Sequence, residues 1–171
     1  MTIRSATVLF MCGATLLACA TPRAGSEDSA ALGADTTTLV MLDRGACHGT
    51  CPIYAVRLAA NGQVRFVGAR FVARIGVDSA RVATAAVESL RAAFAHRGFP
   101  AVPTSIEFGT PACGTYVADL PTVELTVRGA DREHRVRYDQ GCRHHPQMLD
   151  TLANMVDSVS GTAHWTLMTR P

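Results

Sequence analysis

The sequence predicts an α+β domain: a mainly antiparallel sheet with two helices packed on one face. Three observations carry this reading. Apolar residues alternate over short runs, as half-buried strands require. The pair Asn61-Gly62 joins two such runs, and Asn-Gly is a strong signal for a tight hairpin. Two longer segments instead repeat their apolar residues at helical spacing. Hairpins rather than crossovers imply antiparallel pairing, and the order strands, helix, strands, helix places the helices together.

Leu39 to Leu42 is a short apolar run that fits a buried strand. Ile53 to Leu58 alternates, turns at Asn61-Gly62 and returns as Val64 to Val67. A third extended segment, Arg70 to Ile75, follows Gly68 and ends at Gly76. Asp78 or Ser79 then caps a helix running to about His96, with Val82, Ala86, Leu90 and Phe94 on its apolar face and Ala83 and Val87 beside them. Gly98 closes this helix. Residues 99–120 read as loop, with Pro100, Pro103 and Pro111. Pro121 leads into a strand over 123–128, a turn at Gly129-Ala130-Asp131 and a partner strand from His134 to Tyr138. Pro146 fits the first turn of a second helix, whose inner face is Leu149, Leu152, Val156 and Val159 and which Gly161 stops. Trp165 is expected to pack against the sheet.

Residues 1–18 have the layout of an export signal: Arg4, an apolar run from Ala6 to Leu17, then small residues. The run is shorter than the roughly 20 residues of a membrane-spanning helix. Leu16-Leu17-Ala18-Cys19 resembles the lipobox of bacterial lipoproteins, in which the cysteine after the cut carries acyl chains such as palmitate. Cys19 is therefore the expected lipidation site, and Cys12 is lost with the signal. An ordinary secretory signal is the alternative, but Leu16 three before Cys19 and Ala18 one before it favour lipidation. Several acyl chains hold a protein firmly where one binds marginally. In that pattern Ala20, in place of Asp, implies the periplasmic face of an outer membrane.

Residues 19–38 are mostly Ala, Thr, Gly, Ser and acidic residues with no aromatic, a composition that cannot bury enough surface to order itself. They form the expected tether, about 25 Å in root-mean-square span. The single domain then occupies 39–167. The whole chain holds 16 basic residues, all Arg, against 14 Asp plus Glu, with no basic block, so nucleic acid is not an expected partner. The expected partners are the membrane, through the lipid, and an envelope protein.

No catalytic signature is present: no Gly-x-Ser-x-Gly, no His-Glu-x-x-His and no phosphate-cradling loop. No catalytic residue, cofactor or metal ligand is assigned. Asp119 reads as a turn residue, and nothing in the sequence brings it to Glu107. His144-His145 before Pro146 reads as solvated loop, and His48 and His164 as surface groups. His96 lies near a helix C-terminus, which favours positive charge.

Cys47, Cys51, Cys113 and Cys142 remain after the signal, and an even number in an exported domain points to disulfides. Four cysteines allow three pairings. Cys47-His48-Gly49-Thr50-Cys51-Pro52-Ile53-Tyr54 resembles the Cys-x-Gly-x-Cys-Pro-x-Tyr signature of the DUF6438 domain, a bacterial domain of unknown function. Asn61-Gly62, Gly68, Gly98-Phe99, Asp119-Leu120-Pro121 and Trp165 are similar to further landmarks of that family, so the resemblance covers about 38–167. It implies an α+β fold and no particular activity. It also favours Cys47–Cys51 with Cys113–Cys142, because members carry the first pair without the second. By the same analogy Tyr54 and Arg70 are candidate functional groups, against a packing role at a strand edge.

The alternative function is copper or thiol-redox chemistry at Cys47 and Cys51, since thiolates bind soft metals and His48 could complete a shell. The Cys-x-x-x-Cys-Pro spacing resembles that of periplasmic copper chaperones of the Sco type. Those carry it in a thioredoxin-like fold with a parallel βαβ unit, whereas this chain shows hairpins.

Overall fold

The computed structural model describes residues 38–129 and 132–167. Cys19, the signal and the tether up to residue 37 lie outside the described residues. A seven-stranded sheet has β1 (Thr38–Arg44), β2 (Ile53–Ala59), β3 (Gln63–Arg70), β4 (Gly76–Arg81), β5 (Ser105–Ile106), β6 (Thr122–Arg128) and β7 (Glu133–Asp139), in the order β4-β3-β2-β1-β6-β7-β5. Every pairing is antiparallel except β5 with β7. Helices α1 (Thr84–His96) and α2 (Gln147–Ser160) and the short α3 (Ala163–Thr166) complete the domain. No described helix is long and apolar enough to cross a membrane.

Alternation puts Val40 and Leu42 of β1, Val56 and Leu58 of β2, Val64 and Phe66 of β3, Val123 and Leu125 of β6 and Val136 of β7 in one core. Register lines up Phe66, Val56, Leu42, Leu125 and Val136 across five strands. Both long helices close this face, α1 through Val87, Leu90 and Phe94 and α2 through Leu149, Leu152, Ala153 and Val156. Phe94 meets Phe99 edge-on (centroids 4.9 Å apart, planes at 86°), worth about 1 kcal/mol beyond burial. Trp165, in α3, stacks on Phe66 at 4.8 Å. The opposite sheet face stays polar, with Arg57 paired to Asp43 and Arg135 to Glu124.

The region 70–83 corrects the sequence reading. Phe71 has φ 55°, which ends the extended chain at once, and the expected strand 70–75 is a turn. Residues 76–81, read as the entry to the first helix, form β4, with Asp78 opposite Phe66 and Ser79 opposite Arg65. Neither Asp78 nor Ser79 caps α1, whose N-cap is Ala83 without a side-chain bond. The apolar face of α1 accordingly follows Val87, Leu90 and Phe94, with Val82 and Ala86 only half-buried. Pro146 sits at the N-cap of α2 rather than inside its first turn. Gly98 (φ 75°) and Gly161 (φ 70°) end α1 and α2 as expected.

Candidate binding surface at the disulfide end

One end of the sheet gathers the β1–β2 loop (45–52), the β3–β4 turn (71–75), the β5–β6 loop (107–121) and the β7–α2 connection (140–146). Both disulfides lie here. Cys47 and Cys51, with Cα atoms 5.8 Å apart, close the β1–β2 loop, and Cys113 and Cys142, 4.4 Å apart, tie the long loop to the end of β7. The second bridge is buried among apolar neighbours. The first lies at the surface, with His48, Gly49 and Thr50 exposed.

Backbone bonds lace these loops together. His48 N–H donates to the Asp119 carbonyl at 3.1 Å, Gly45 N–H to Thr122 at 2.8 Å and Val117 N–H to Gly141 at 2.9 Å. Asp119 has φ 72°, so it is the turn residue that the sequence suggested. Its carboxylate does not meet Glu107, which instead takes Arg137 Nε at 2.8 Å and Ser105 Oγ at 2.9 Å. The Arg137 hydrogen bond holds the Glu107 carboxyl below its ordinary range. Buried Asp139 accepts from Gly141 N–H and from the Tyr116 hydroxyl, which fixes the long loop a second time.

Helix α2 crosses this end beneath the loops. Its 14 residues span about 21 Å, enough to cross four strands spaced about 4.8 Å apart. Asp150 and Asp157 lie two turns apart on the face turned to the sheet. Register aligns Tyr138, Val123, Arg44 and Tyr54 under them. At one end Asp157 receives Arg44 (Nη2 to Oδ2, 2.6 Å), the Tyr54 hydroxyl (2.7 Å) and the Thr162 hydroxyl (3.0 Å). At the other, Asp150 receives the Tyr138 hydroxyl (3.0 Å), Gln140 Nε2 (3.0 Å) and His145 Nε2 (2.8 Å).

Burial, with the facing Asp157 charge, pushes the Tyr54 hydroxyl well above the ordinary tyrosine range. Burial and Asp150 do the same to Tyr138. For Asp150, burial alone would raise its pKa; the hydrogen bonds from His145, Gln140 and Tyr138 prevail and lower it.

Two expectations change here. Tyr54 is buried on an interior strand and bonded to α2, so it is neither a strand-edge residue nor a surface group. His145 is not solvated loop: its ring lies 5.3 Å from that of Tyr138, and it bridges the Cys142 carbonyl and Asp150. His144 is exposed, as are His48, His96 and His164. Arg70 is exposed and lies over the Phe71 ring at 4.9 Å. Among the described residues no three His, Cys, Asp or Glu side chains gather as a metal-binding group.

Exposed apolar side chains occur at this end beside exposed His48, Thr50, Arg70 and His144. The exposed large apolar side chains among the described residues are Ile75, Val77, Phe108, Val117, Leu120 and Leu167. The first five lie on the loops just described or beside them, and Leu167 follows Trp165, whose carbonyl holds Arg74 N–H in the β3–β4 turn. Phe108 is 74% exposed although its ring contacts Tyr116 at 5.0 Å. No sequence signal marks Phe108 or Leu120, since isolated apolar residues in a proline-rich loop do not show which way they face.

The profile of DUF6438, a domain of unknown function, matches residues 38–160. Among curated proteins none matches the chain.

Proposed function

The chain belongs to the DUF6438 family, and on that premise we propose a lipid-anchored cell-envelope protein whose domain binds a partner and does no chemistry on it. The observation that carries this reading is the placement of the apolar side chains. Phe108, Val117 and Leu120 stand on a loop held by a buried disulfide, a buried carboxylate and backbone bonds to its neighbours. A surface held this way loses little conformational entropy when it docks, which favours affinity. The polar groups beneath it are engaged with one another as structural pairs. The chain enters the domain at Thr38, at the end of β1 opposite these loops. The partner is an envelope protein presenting a complementary apolar patch.

The test is a photo-crosslinking residue at position 108 in cells of the source type. A discrete adduct that weakens in Val117→Ser and Leu120→Ser supports binding; no adduct, or one indifferent to both changes, overturns it. The anchor is tested separately with Cys19→Ser, which should move the protein out of the membrane fraction. Retention there would refute lipidation at Cys19.

The copper or thiol-redox alternative draws on one observation, the surface position of the Cys47–Cys51 bridge beside exposed His48. It requires both sulfurs to be released as thiolates. Thiol titration of protein taken from the periplasm without reductant distinguishes the two: a closed, reductant-resistant bridge leaves binding alone, and free thiols with stoichiometric copper favour the alternative.

A further inference from the structure

Strand β4 lies at one edge of the sheet, where β3 is its neighbour. Val82 N–H donates to the Gly62 carbonyl at 2.9 Å, which makes Gly62 and Val82 a hydrogen-bonded pair next to this ladder. Such pairs alternate along antiparallel strands, so 64 with 80, 66 with 78 and 68 with 76 are the bonded pairs. The backbone groups of Val77, Ser79 and Arg81 therefore point away from β3, and among the described residues no other backbone group meets them. Ser79 N–H is taken by Asp78 Oδ1 at 2.8 Å, and the other oxygen of that carboxylate pairs with Arg74. The N–H groups of Val77 and Arg81 and the carbonyls of all three residues form a template for a further strand.

Charge along this edge is one-sided. Residues 63–81 hold Arg65, Arg70, Arg74 and Arg81 against Asp78 alone. Val77, Ser79 and Arg81 are exposed and alternate onto the helix-free face, where Arg65 lies between Ser79 and Arg57 in register. Asp43 occupies Arg57, and Arg81 spends Nη1 on the Asn61 carbonyl at 3.4 Å. Arg65 Nε is buried with no hydrogen-bond partner, and Arg65 belongs to none of the ion pairs among the described residues.

We propose that the β4 edge takes up an extended acidic segment of a partner protein by strand addition. Main-chain bonds to Val77 and Arg81 supply affinity, and alternate side chains of the incoming strand supply specificity. Its carboxylates stand on the helix-free face beside Ser79, within reach of Arg65 and Arg81, for which guanidinium donors are suited. Charge selects this occupant over a second copy of the chain: pairing two β4 edges would bring the same arginines together, and like charges across strands are unfavourable. The inference does not rest on the surface proposed above, whose Phe108 follows β5 at the other edge of the sheet.

The probe is the fluorescein-labelled peptide Thr-Glu-Val-Glu-Val-Glu-Thr, titrated into the full chain in detergent and followed by fluorescence anisotropy. The comparison peptide carries Lys in place of each Glu. Saturable binding of the acidic peptide, roughly tenfold or more tighter than the basic one, is expected. Arg65→Ala and Arg81→Ala should each weaken it roughly fivefold, while Arg143→Ala, at the disulfide end, should leave it unchanged. Val77→Pro removes an outward N–H, which an edge strand tolerates, and should abolish binding; Val77→Thr keeps that N–H and should retain it. Thermal midpoints close to the parent's confirm that the variants are folded. Equal affinity for the two peptides, no saturation, or indifference to Val77→Pro or to both arginine changes would each overturn the proposal. Light scattering without peptide reads the competing occupant: a doubled protein mass that Val77→Pro halves would show β4 pairing with a second copy and overturn the acidic segment.

Discussion

The Tyr54 hydroxyl donates to Asp157 Oδ1 at 2.7 Å, fastening the second strand to the last turn of the second long helix. The other oxygen of the same carboxylate takes both Nε and Nη2 of Arg44. Asp157 is thus shared by a tyrosine of the Cys-x-Gly-x-Cys-Pro-x-Tyr element and the arginine that ends β1. The tyrosine closing that motif therefore has a structural task that its spacing alone does not show.

Removing the shared acceptor should cost more than removing one donor. Asp157→Ala leaves Arg44 with Asn154 alone and the buried Tyr54 hydroxyl without its acceptor, and should lose about 3 kcal/mol. Tyr54→Phe gives up one hydrogen bond and should lose about 1 kcal/mol. Urea unfolding of both variants checks the order, and equal losses would contradict the shared role.

The raised tyrosines give an alkaline limb. Tyr54 and Tyr138 keep their protons in the folded state at a pH where the unfolded chain, near pH 10, gives them up. Their stabilisation is complete below about pH 10 and falls as pH rises above it toward their folded values. The thermal midpoint should therefore drop between roughly pH 9.5 and 11.5, and less steeply in Tyr54→Phe. A parallel decline in that variant would remove Tyr54 as a source.

Asp150 gives the opposite limb. Its folded pKa lies below the ordinary value, so its contribution is present above about pH 4 and is lost as pH falls through the folded pKa. Asp150→Asn should lower the midpoint at pH 6 and flatten its fall between about pH 4 and 2.5. An unchanged slope would show that the acid limb originates elsewhere.

The two bridges should differ in weight. On the chain-entropy account a sequence separation of 29 contributes about 3.5 kcal/mol and one of 4 about 2 kcal/mol. Cys113 and Cys142 are also buried, whereas Cys47 and Cys51 are half-exposed. Cys142→Ser should thus lower the thermal midpoint more than Cys51→Ser, and calorimetry showing the reverse would contradict this ordering.

Gly62 and Gly98 separate strain from crowding. Both have positive φ, 80° and 75°. A Cβ on Gly98 meets nothing within 4 Å, while one on Gly62 would stand 2.2 Å from the Val82 carbonyl oxygen. Gly98→Ala should cost about 1 kcal/mol, the left-handed penalty alone, and Gly62→Ala clearly more. Chemical denaturation of the pair would show equal costs if the Val82 contact relaxes freely.

Much of the frame is legible in the sequence because its causes are local. Asn61-Gly62 sets the hairpin, alternation marks β2 and β6, and Gly98 and Gly161 end the helices through their own backbone freedom. The β4 strand is not legible. Gly76-Val77-Asp78-Ser79 before an alanine-rich run carries a helix-capping pattern, and only pairing with β3 makes it extended. The same holds for His145, whose neighbours in the chain suggest solvent while its partners come from the end of β7 and one turn into α2. Cys113–Cys142 became readable only through resemblance, since spacing leaves three pairings open.

The position of β1 has a mechanical consequence. Residues that precede Thr38 join the sheet at its middle strand, hydrogen-bonded on both sides by β2 and β6. A pull delivered along that segment loads two antiparallel ladders at once in shear. An edge strand would peel open one bond at a time, whereas here the ladders must yield together. The domain is thereby suited to hold its shape under traction from its N-terminal side, with the load passing straight into the core.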